Sequence, residues 1–441
     1  MSTVRTISVI GTGYLGATHA ACMADLGFRV IGVDTDAAKI GSLAEGRLPF
    51  FEPDLEPLIR KHVEHGRLRF STDIAEAAAA DVHFLCVGTP QRRDGLGADL
   101  AAVHAAAAAL ATHLRRPCLV VGKSTVPVGT AAEVAAMLCS GAPAGDDVHL
   151  AWNPEFLREG RAVQDTLHPD RFVFGVSDEQ DLDVLRAVYA DALAGGVPEV
   201  VTDLPTAELV KAAANSFLAT KISFVNAMAE VCDAAGADVL SLTAALAHDT
   251  RIGGQFLRPG LGFGGGCLPK DIRAFVARAE ELHAPGAVAF LREVDQINIR
   301  CRERVVDLVA EELDGSAAGR TVAVLGAAFK PGSDDVRDSP ALHVAAALHR
   351  LGAQVRVHDP KARDAAARLS PELTHASTVA GACLDADLVL LATEWPQYVE
   401  LDPAHLAGMV RGRRVVDTRH ALDAGRWRAA GWRYRAPGRV P

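Results

Sequence analysis

A glycine-rich segment near the middle of the chain ends in a cysteine that is followed closely by a lysine and a carboxylate. It reads Gly260-Leu-Gly-Phe-Gly-Gly-Gly-Cys267-Leu-Pro-Lys270-Asp271, and the residues from Lys270 onward have a helical pattern whose first turn accommodates Pro269. A thiol near a helix N-terminus and a lysine has a lowered pKa, which favours the reactive thiolate. The segment therefore predicts a nucleophile at Cys267, although taken alone it also fits a flexible loop with a small buried cysteine.

A second glycine motif lies near the N-terminus and reads Gly11-Thr12-Gly13-Tyr14-Leu15-Gly16. It lies between an apolar, strand-like run (residues 4–10) and a helix-like run (residues 17–26), and a second strand-like run (residues 28–33) ends in Asp34. In a dinucleotide site such glycines allow a tight turn, let the backbone approach the pyrophosphate and let helix and strand pack closely, and an acid about twenty residues later binds the ribose. Because Asp34 would also repel a 2′-phosphate, the pattern predicts NAD rather than NADP.

Composition limits the classes of function that remain. The 441 residues and 49% hydrophobic content predict two or three domains with sizeable cores, and a net charge of −10 argues against a general nucleic-acid surface while leaving room for a local phosphate pocket. The eight cysteines lie singly, so neither a metal site nor a disulfide framework is expected. With no signal-peptide pattern at the N-terminus and no apolar run long enough to cross a bilayer, we expect a cytoplasmic protein that does not enter the membrane.

The first 200 residues alternate between strand-like and helix-like segments. Buried strands are predicted over residues 82–87, 119–127 and 148–154, and the polar residues Thr89, Thr125 and those after Asn153 follow them. Ligands of open α/β sheets bind beyond the carboxyl ends of the strands. We therefore expect these residues to line one crevice.

Residues 206–247 are predicted to be helical, with a long helix through Cys232 and a turn at Gly236. From about Arg320 the strand–turn–helix rhythm restarts, with strands over residues 321–325, 354–358 and 387–392. This part has Ala328 and Lys330 where the later glycines of the N-terminal motif would stand. We infer a second nucleotide-shaped crevice that contains a lysine, and the alternative is a covering domain without a ligand. The predicted fold is α/β, with two Rossmann-like doubly wound domains joined by a long central helix. The NAD-binding domain is residues 1–203, the central helical region with the cysteine loop is residues 204–314, and the C-terminal domain, predicted to bind the second nucleotide, is residues 315–441.

Several long motifs in a fixed order resemble the nucleotide-sugar 6-dehydrogenases. Polar pairs four residues apart, such as Glu155 with Glu159 and Lys211 with Asn215, are by themselves mostly solvated helix faces. The resemblance, however, runs from Ile7 to about Asp423, and its strongest markers are GTGYLG, CVGTP, KSTVPVGT, NPEFLREG, HDTRIG, FGGGCLPKD and AAFKPGSDDVRDSP.

The resemblance implies a four-electron oxidation in which a sugar C6 alcohol becomes a carboxylate and two NAD⁺ are reduced. Cys267 would add to the intermediate aldehyde and carry a thiohemiacetal and then a thioester. Lys211 and Asn215 match positions that stabilise the developing oxyanion. Asp271 and Thr125 match positions that order water or relay protons, and Glu155 matches a residue implicated in thioester hydrolysis.

The resemblance also implies which residues bind the two ligands. On the cofactor side it implies six residues in addition to the N-terminal glycine motif and Asp34. They are Lys39, Thr89, Thr125, Glu159, Lys270 and Arg337. On the sugar-nucleotide side it implies Glu155, Phe156, Leu157, Arg158, Lys211, Asn215, Arg251, Arg258, Gly260, Gly264, Phe329, Lys330 and Arg419. The arginines and lysines among them suit a diphosphate.

The sequence departs from the family pattern at three positions and leaves the substrate open. Gly266 stands where serine is usual, Leu15 where valine is common, and His420 where asparagine is frequent. The segments HDTRIG and NPEFLREG look most like the UDP-glucose branch, with dTDP-glucose, GDP-mannose or a UDP-N-acetylhexosamine as alternatives.

Two other classes fit the sequence less well. A two-electron dehydrogenase of the hydroxyacid type would not need Cys267, and a non-catalytic NAD-binding protein would explain only the glycines. The apolar helical middle region predicts a homodimer, in which the family resemblance suggests that Arg251 reaches the partner's active site.

Overall fold

The computed structural model describes residues 4–439 and divides into two compact units. The first unit comprises the described residues up to Ala214 together with Ala277–His283. The second comprises Asn215–Val276 and the described residues from Ala284 onward. Each unit contains a sheet of its own.

The sheet of the first unit has eight strands in the order β3-β2-β1-β4-β5-β6-β7-β8. Neighbouring strands are parallel except β6 and β7, which meet antiparallel through the pair Trp152 and Gly175. The strands are β1 (Thr6–Ile10), β2 (Arg29–Val33), β3 (Leu68–Ser71), β4 (Val82–Leu85), β5 (Cys118–Gly122), β6 (Val148–Trp152), β7 (Phe172–Gly175) and β8 (Glu199–Thr202).

Helices cover both faces of this sheet. Along β1 the buried side chains alternate, so that Ile7 and Val9 enter one hydrophobic core and Ile10 enters the other. The helices are α1 (Tyr14–Asp25), α2 (Ala37–Ala44), α3 (Leu55–Glu64), α4 (Ala101–Ala111), α5 (Thr130–Gly141), α6 (Ala162–Leu167), α7 (Glu179–Val188) and α8 (Ala190–Ala194), with 3-10 turns at Ile74–Ala77 and Gly145–Asp147.

A long helix, α9 (Leu204–Ala235), starts in the first unit and continues into the second. It is 32 residues long and ends before Gly236, which has φ +68°. Glycine adopts this left-handed conformation without steric cost, so the predicted turn at Gly236 is confirmed. The helices that follow are α10 (Val239–Ala247), α11 (Leu268–Glu281) and α12 (Phe290–Glu312), with a 3-10 turn at Pro285–Val288.

The second sheet has six parallel strands in the order β11-β10-β9-β12-β13-β14. They are β9 (Thr321–Leu325), β10 (Gln354–His358), β11 (Thr374–His375), β12 (Leu388–Leu391), β13 (Arg414–Asp417) and β14 (Arg433–Arg435). The helices around it are α13 (Pro340–Arg350), α14 (Arg363–Leu369), α15 (Val379–Cys383), α16 (Pro396–Val399), α17 (Pro403–Ala407) and α18 (Ala424–Ala429). The first six strands of the other sheet have the same topology, so the predicted fold class is confirmed: two Rossmann-like sheets and a long central helix.

Glu155 and Glu159 would share a face only if their segment were helical. The segment from Asn153 to Gly160 is irregular instead, so they do not share a helix face. A proline disfavours helix at the residue before it, and Gly160 has φ +81°, so both ends of the segment resist a helix. The strand predicted over residues 119–127 ends at Gly122, which leaves the polar residues after it in a loop.

The alanine-rich stretch after Leu100 forms α4, which buries Val103, Ala107 and Leu110 against the sheet. Within residues 4–439, none of the helices combines the length and the apolar character needed to cross a bilayer.

Candidate active site

The N-terminal glycine motif forms a tight turn between β1 and α1. Gly11 has φ +89°, and a Cβ on Gly16 would lie 1.8 Å from the carbonyl oxygen of Gly11, so helix and strand approach too closely for any side chain there. A Cβ on Gly13 would meet no described atom within 4 Å. Helix α1 starts at Tyr14, and no side chain of the described residues caps it. Its first N–H groups therefore suit an anion such as a pyrophosphate.

Asp34 lies at the end of β2 and faces this turn. Its Oδ2 accepts hydrogen bonds from the N–H of Thr12 and from Lys39 Nζ, both at 2.8 Å, and its Oδ1 accepts one from the N–H of Asp36 at 3.1 Å. Burial raises the pKa of Asp34, but these hydrogen bonds outweigh it and the pKa is lowered overall. The carboxylate is therefore charged at neutral pH, and together with the glycine turn it fits the ribose and pyrophosphate of NAD.

The loops after β4 and β5 meet as the sequence predicts. Thr89 Oγ1 donates to the carbonyl oxygen of Thr125 at 2.7 Å, and Ser124 Oγ donates to that of Val87 at 2.7 Å. Thr89 and Thr125 thus lie together at the carboxyl ends of adjacent strands.

A buried carboxylate that the sequence analysis missed ties the glycine turn to the segment after β6. Glu52 is 4% exposed and accepts hydrogen bonds from the Tyr14 hydroxyl and from the N–H groups of Gly160 and Ala162, the last two at 2.7 Å. Burial and the neighbouring Glu52 carboxylate hold the pKa of Tyr14 far above its usual value, so the hydroxyl keeps its proton. Nothing in the sequence around Glu52 distinguishes it from other single acids.

Glu155 pairs with Lys211 at the start of α9. The Oε1–Nζ distance is 3.0 Å, and the two side chains are only 11% and 6% exposed. The ring of Phe156 lies 5.4 Å from Lys211 Nζ, and Leu157 donates its N–H to Glu155 Oε2 at 2.8 Å. Arg158, in contrast, has two guanidinium nitrogens bound to Asp165, each at 2.7 Å. The structure therefore brings Glu155, Phe156 and Lys211 together and directs Arg158 to a structural partner.

A second buried cation lies beside this pair and was also missed. Lys123 donates to Asn153 Oδ1 at 2.8 Å and to the Tyr189 hydroxyl at 3.3 Å, and burial lowers its pKa to about 8. It lines a cavity of about 40 Å³ together with Glu155 and His19, whose ring nitrogens have no hydrogen-bond partner among residues 4–439. One feature of the sequence could have identified Lys123: it follows a buried strand directly, at the start of KSTVPVGT.

In the second unit, Cys267 lies immediately before α11, as predicted, and is exposed. One turn later, Asp271 donates its N–H to the carbonyl oxygen of Cys267 at 3.0 Å. The carboxylate of Asp271 is 4% exposed and accepts from Asn215 Nδ2 at 2.6 Å and from Lys270 Nζ at 2.5 Å. Three predicted residues thus form one cluster a turn from the thiol. Cys86 differs, because it is buried and burial raises its pKa to about 12.

The glycine loop before Cys267 packs against the carboxyl ends of the second sheet. A Cβ on Gly260 would lie 3.0 Å from the carbonyl oxygen of Thr418, one on Gly264 would lie 2.4 Å from that of Asp338, and one on Gly265 would lie 2.9 Å from the ring of Phe329. Glycine is required where a loop approaches its neighbours this closely. The loop is thereby brought to Phe329, with Lys330 Nζ 5.3 Å from that ring.

Arg419 is held in the same region by backbone carbonyls. Its Nε donates to the carbonyl oxygen of Ala392 at 2.6 Å and its Nη2 to that of Phe329 at 3.3 Å, while Glu394 lies 3.4 Å away. The Arg419 side chain is 12% exposed and is therefore well fixed.

The guanidinium of Arg337 lies directly beside Gly266. A Cβ on Gly266 would lie 2.2–2.5 Å from the carbon and terminal nitrogens of that group, which Asp335 holds at 2.8 Å. Arg337 is thus placed beside the residue that precedes Cys267. Arg251 and Arg258 are exposed and are not among these buried contacts, and Arg251 pairs with Asp249 of its own loop at 2.6 Å.

Asp359 follows β10 as Asp34 follows β2, but its carboxylate binds other groups of the second unit. Asp359 is 3% exposed, and its Oδ2 accepts from the N–H groups of Ala327 and Ala328 at 2.8 and 3.0 Å and from Trp395 Nε1 at 3.2 Å. The acid that follows β10 is therefore less accessible than Asp34, whose side chain is 12% exposed.

The glycine turn with its acid, and an exposed thiol one turn from the Asp271 carboxylate, are features expected of an NAD-dependent dehydrogenase. Models of the UDP-glucose/GDP-mannose dehydrogenase family match the chain in three parts: the NAD binding domain at residues 5–193, the central domain at 205–300 and the UDP binding domain at 323–424. The chain belongs to this family, and its first unit is an NAD-binding domain.

The relatives extend over nearly the whole chain. The UDP-glucose 6-dehydrogenases of Rhizobium meliloti and Pseudomonas aeruginosa are each 40% identical to it, over 98% of this chain and 99% and 97% of theirs. Among solved structures, a UDP-glucose dehydrogenase from the archaeon Pyrobaculum islandicum is 39% identical, with a TM-score of 0.91 over 99% of this chain and 98% of that one.

Proposed function

We propose that this protein oxidises the C6 alcohol of UDP-glucose to the carboxylate of UDP-glucuronate, with two NAD⁺ reduced in each turnover. The observation that carries the proposal is the exposed thiol of Cys267 at the start of α11, one turn from the Asn215–Lys270–Asp271 cluster. The names of the relatives that are 40% identical over nearly the whole chain support the same substrate.

The cysteine is needed for the second oxidation. NAD⁺, when bound, accepts the hydride of each oxidation. After the alcohol has lost a hydride and a proton, the aldehyde carbon has no further hydride to give until a nucleophile adds. The Cys267 thiolate adds to that carbon, and the resulting thiohemiacetal loses a second hydride and a proton to become a thioester. Water then releases the carboxylate, a proton and the free thiolate.

The charged residues around these steps have separate roles in this proposal. Lys211 and Asn215, one turn apart on α9, stabilise the oxyanion that develops at C6. Glu155 serves thioester hydrolysis, and its 3.0 Å contact with Lys211 keeps the carboxylate oriented. Asp271 and Thr125 order the water and relay protons.

We assign NAD to residues 1–203 and the sugar nucleotide to residues 315–441. The central region, residues 204–314, contains the cysteine loop. The three family models support this division. The cofactor side includes Thr89, Glu159, Lys270 and Arg337 in addition to the glycine turn, Asp34 and Lys39. The sugar-nucleotide side includes the residues that pack around the glycine loop, together with those after β6 and the two exposed arginines: Gly260, Gly264, Phe329, Lys330, Arg419, Glu155, Phe156, Leu157, Arg158, Arg251 and Arg258.

The alternative is the same chemistry on another sugar nucleotide. A UDP-D-ManNAc dehydrogenase from Pyrococcus horikoshii has the same fold, with a TM-score of 0.86 at 25% identity over 99% of both chains. A panel of UDP-glucose, dTDP-glucose, GDP-mannose and UDP-N-acetylhexosamines, followed at 340 nm, separates these substrates by kcat/KM. We expect UDP-glucose to give the highest value.

We expect two NADH to form for each sugar nucleotide consumed, because an alcohol must lose four electrons to become an acid. The measurement combines absorbance at 340 nm with the mass of the product. A ratio of one, with free aldehyde accumulating in the unaltered protein, would contradict the four-electron reaction.

We expect a strong preference for NAD⁺ over NADP⁺, which Asp34→Ala weakens. The substitution removes a ribose acceptor and a negative charge, and it frees Lys39, whose Nζ lies 2.8 Å from Asp34 Oδ2, to meet a 2′-phosphate. The ratio of kcat/KM for the two cofactors should shift toward NADP⁺ by roughly tenfold or more, as expected for one charged contact. Asp178→Ala, which removes only a helix cap at α7, should leave the ratio unchanged. Equal use of both cofactors by the unaltered protein would remove Asp34 from this role.

We also propose that the protein is a homodimer whose contact includes α9. Phe217, Phe224 and Val231 are 67%, 47% and 56% exposed and lie seven residues apart, so they form one apolar stripe along this helix. A helix stripe of this kind suits a self-complementary two-fold contact. In such a dimer the exposed Arg251 would reach the partner's active site.

Phe224→Asp should convert the dimer to a monomer with little activity, because a charge in the middle of the stripe cannot be buried without a partner. Light scattering at the assay concentration measures the state. Leu369→Asp is the control and should stay dimeric, because Leu369 is a 58% exposed apolar residue of the second unit that lies outside α9. A fully active monomer of the unaltered protein would exclude this arrangement.

A further inference from the structure

A buried asparagine on α12 holds the backbone of the glycine loop. Asn298 is fully buried, its Oδ1 accepts from the N–H of Phe263 at 2.7 Å, and its Nδ2 donates to the carbonyl oxygen of the same residue at 3.0 Å. The side-chain amide thus pairs with both backbone groups of one residue, as a neighbouring strand would. Phe263 lies four residues before Cys267.

The next turn of α12 adds a second tie to the same point. Arg302 donates from Nη2 to the carbonyl oxygen of Phe263 at 2.9 Å and from Nη1 to Asp338 Oδ1 at 3.0 Å, and its side chain is only 4% exposed. The carbonyl group of Asp338 in turn abuts Gly264. The loop therefore has a fixed position immediately before its three consecutive glycines.

The segment after the cysteine is tied to α12 as well. Arg273, on the second turn of α11, binds Asp295 at 2.9 and 3.1 Å. Cys267 consequently lies between two points, Phe263 and Arg273, that are both anchored to one helix.

Fixing these points matters because the loop itself is intrinsically flexible. Glycine has the largest conformational freedom to lose, and Gly264, Gly265 and Gly266 directly precede the thiol. A nucleophile must be held within about 0.5 Å of its productive position, and small displacements reduce the rate of attack strongly.

We propose that Asn298 is a positioning residue for the nucleophile, which fixes the glycine loop so that Cys267 meets the aldehyde carbon. The inference rests on the proposed role of Cys267. It predicts a defect in the second oxidation and not in the first, because only the second oxidation uses the thiol. An asparagine that merely fills the core would affect stability and both oxidations alike.

Two variants disturb the contact from opposite sides. Asn298→Asp keeps an acceptor for the Phe263 N–H but loses the donor to its carbonyl group. Gly262→Ala approaches from the loop, because the added Cβ would lie 2.2 Å from Asn298 Oδ1 and Gly262 has φ +87°. Ser223→Ala is the structural control, since Ser223 is 1% exposed and donates to Val294 of the same α12 at 2.7 Å without touching the loop. Gln296→Ala, at an exposed position of α12, controls for substitution on the helix surface.

The experiment measures four quantities for each of these variants: kcat, KM for NAD⁺, the thermal midpoint, and the ratio of NADH formed to sugar nucleotide consumed. Cys267→Ser is measured in the same way for comparison. We expect Asn298→Asp and Gly262→Ala to lower kcat by roughly tenfold or more, to bring the ratio below two with aldehyde released, and to leave KM for NAD⁺ within about twofold. Both controls should keep the ratio at two, even if Ser223→Ala lowers the thermal midpoint.

A ratio of two with normal kcat in both loop variants would overturn the positioning role while leaving the proposed function intact. The same holds if Ser223→Ala reproduces the drop in ratio, because the effect would then follow stability alone. If Cys267→Ser itself makes the acid at a normal rate, the proposed function fails, and that outcome is read independently of Asn298.

Discussion

Cys267→Ser is expected to lower steady turnover by roughly two orders of magnitude or more, because a serine hydroxyl at neutral pH is a far poorer nucleophile than a thiolate. The thiol is needed only once the aldehyde exists. Binding of NAD⁺ should therefore be unchanged, binding of the sugar nucleotide largely so, and one slow hydride transfer should remain. Stopped-flow absorbance at 340 nm, together with the mass of the enzyme-bound sugar, measures each of these effects.

Cys86 provides the matched control for this substitution. It is buried at the end of β4, where burial raises the pKa of the thiol to about 12, so it stays protonated and unreactive at neutral pH. Cys86→Ser should lose far less activity than Cys267→Ser. Production of uronic acid by Cys267→Ser at a near-normal rate would show that the glycine loop is only structural and that no thioester forms on this residue.

Lys211→Ala should also lower kcat strongly, by roughly 10²–10³-fold, the usual cost of removing one group that stabilises an oxyanion. The substitution has a second effect, because Glu155 is only 11% exposed and loses the ammonium group 3.0 Å from its Oε1. A buried carboxylate that has lost its cation is unfavourable in the folded protein, so the variant should also have a lower thermal midpoint. The measurements are kcat, KM and the thermal midpoint.

Lys61→Ala is the control for Lys211→Ala. Lys61 is 56% exposed and pairs with Asp25 on the surface of the first unit, so its loss should change kcat by less than about twofold. Normal turnover of Lys211→Ala would remove Lys211 from the reaction and reduce the Glu155 pair to a structural contact.

Much of the fold could be predicted because its signals are local. The apolar runs at β1, β4 and β9 are short, lie between turns and are fully or almost fully buried, which is the pattern of central parallel strands. The glycine turn and Asp34 were also predictable, since their spacing reflects backbone geometry within a single β-α-β unit. For the same reason Cys267 could be placed at the start of a helix from Pro269 and the residues that follow.

The tertiary structure decided the contacts between residues that are far apart in sequence. The pairing of Glu52 with Tyr14 and Gly160 spans 38 and 108 residues, and the Asn298 contact with Phe263 spans 35. A single acid or asparagine on a helix or loop carries no local mark of such a partner.

The sequence by itself therefore determined the two Rossmann-like domains, the NAD-binding glycine turn and the position of Cys267 at the start of a helix, because neighbouring residues set the backbone conformation and the hydrophobic pattern. Only the tertiary structure determined that residues 153–160 are irregular, that Lys123 is buried beside Glu155, and that the cysteine loop is anchored to α12. Polar groups that become buried must form hydrogen bonds, and their partners are decided only when distant segments of the chain pack together.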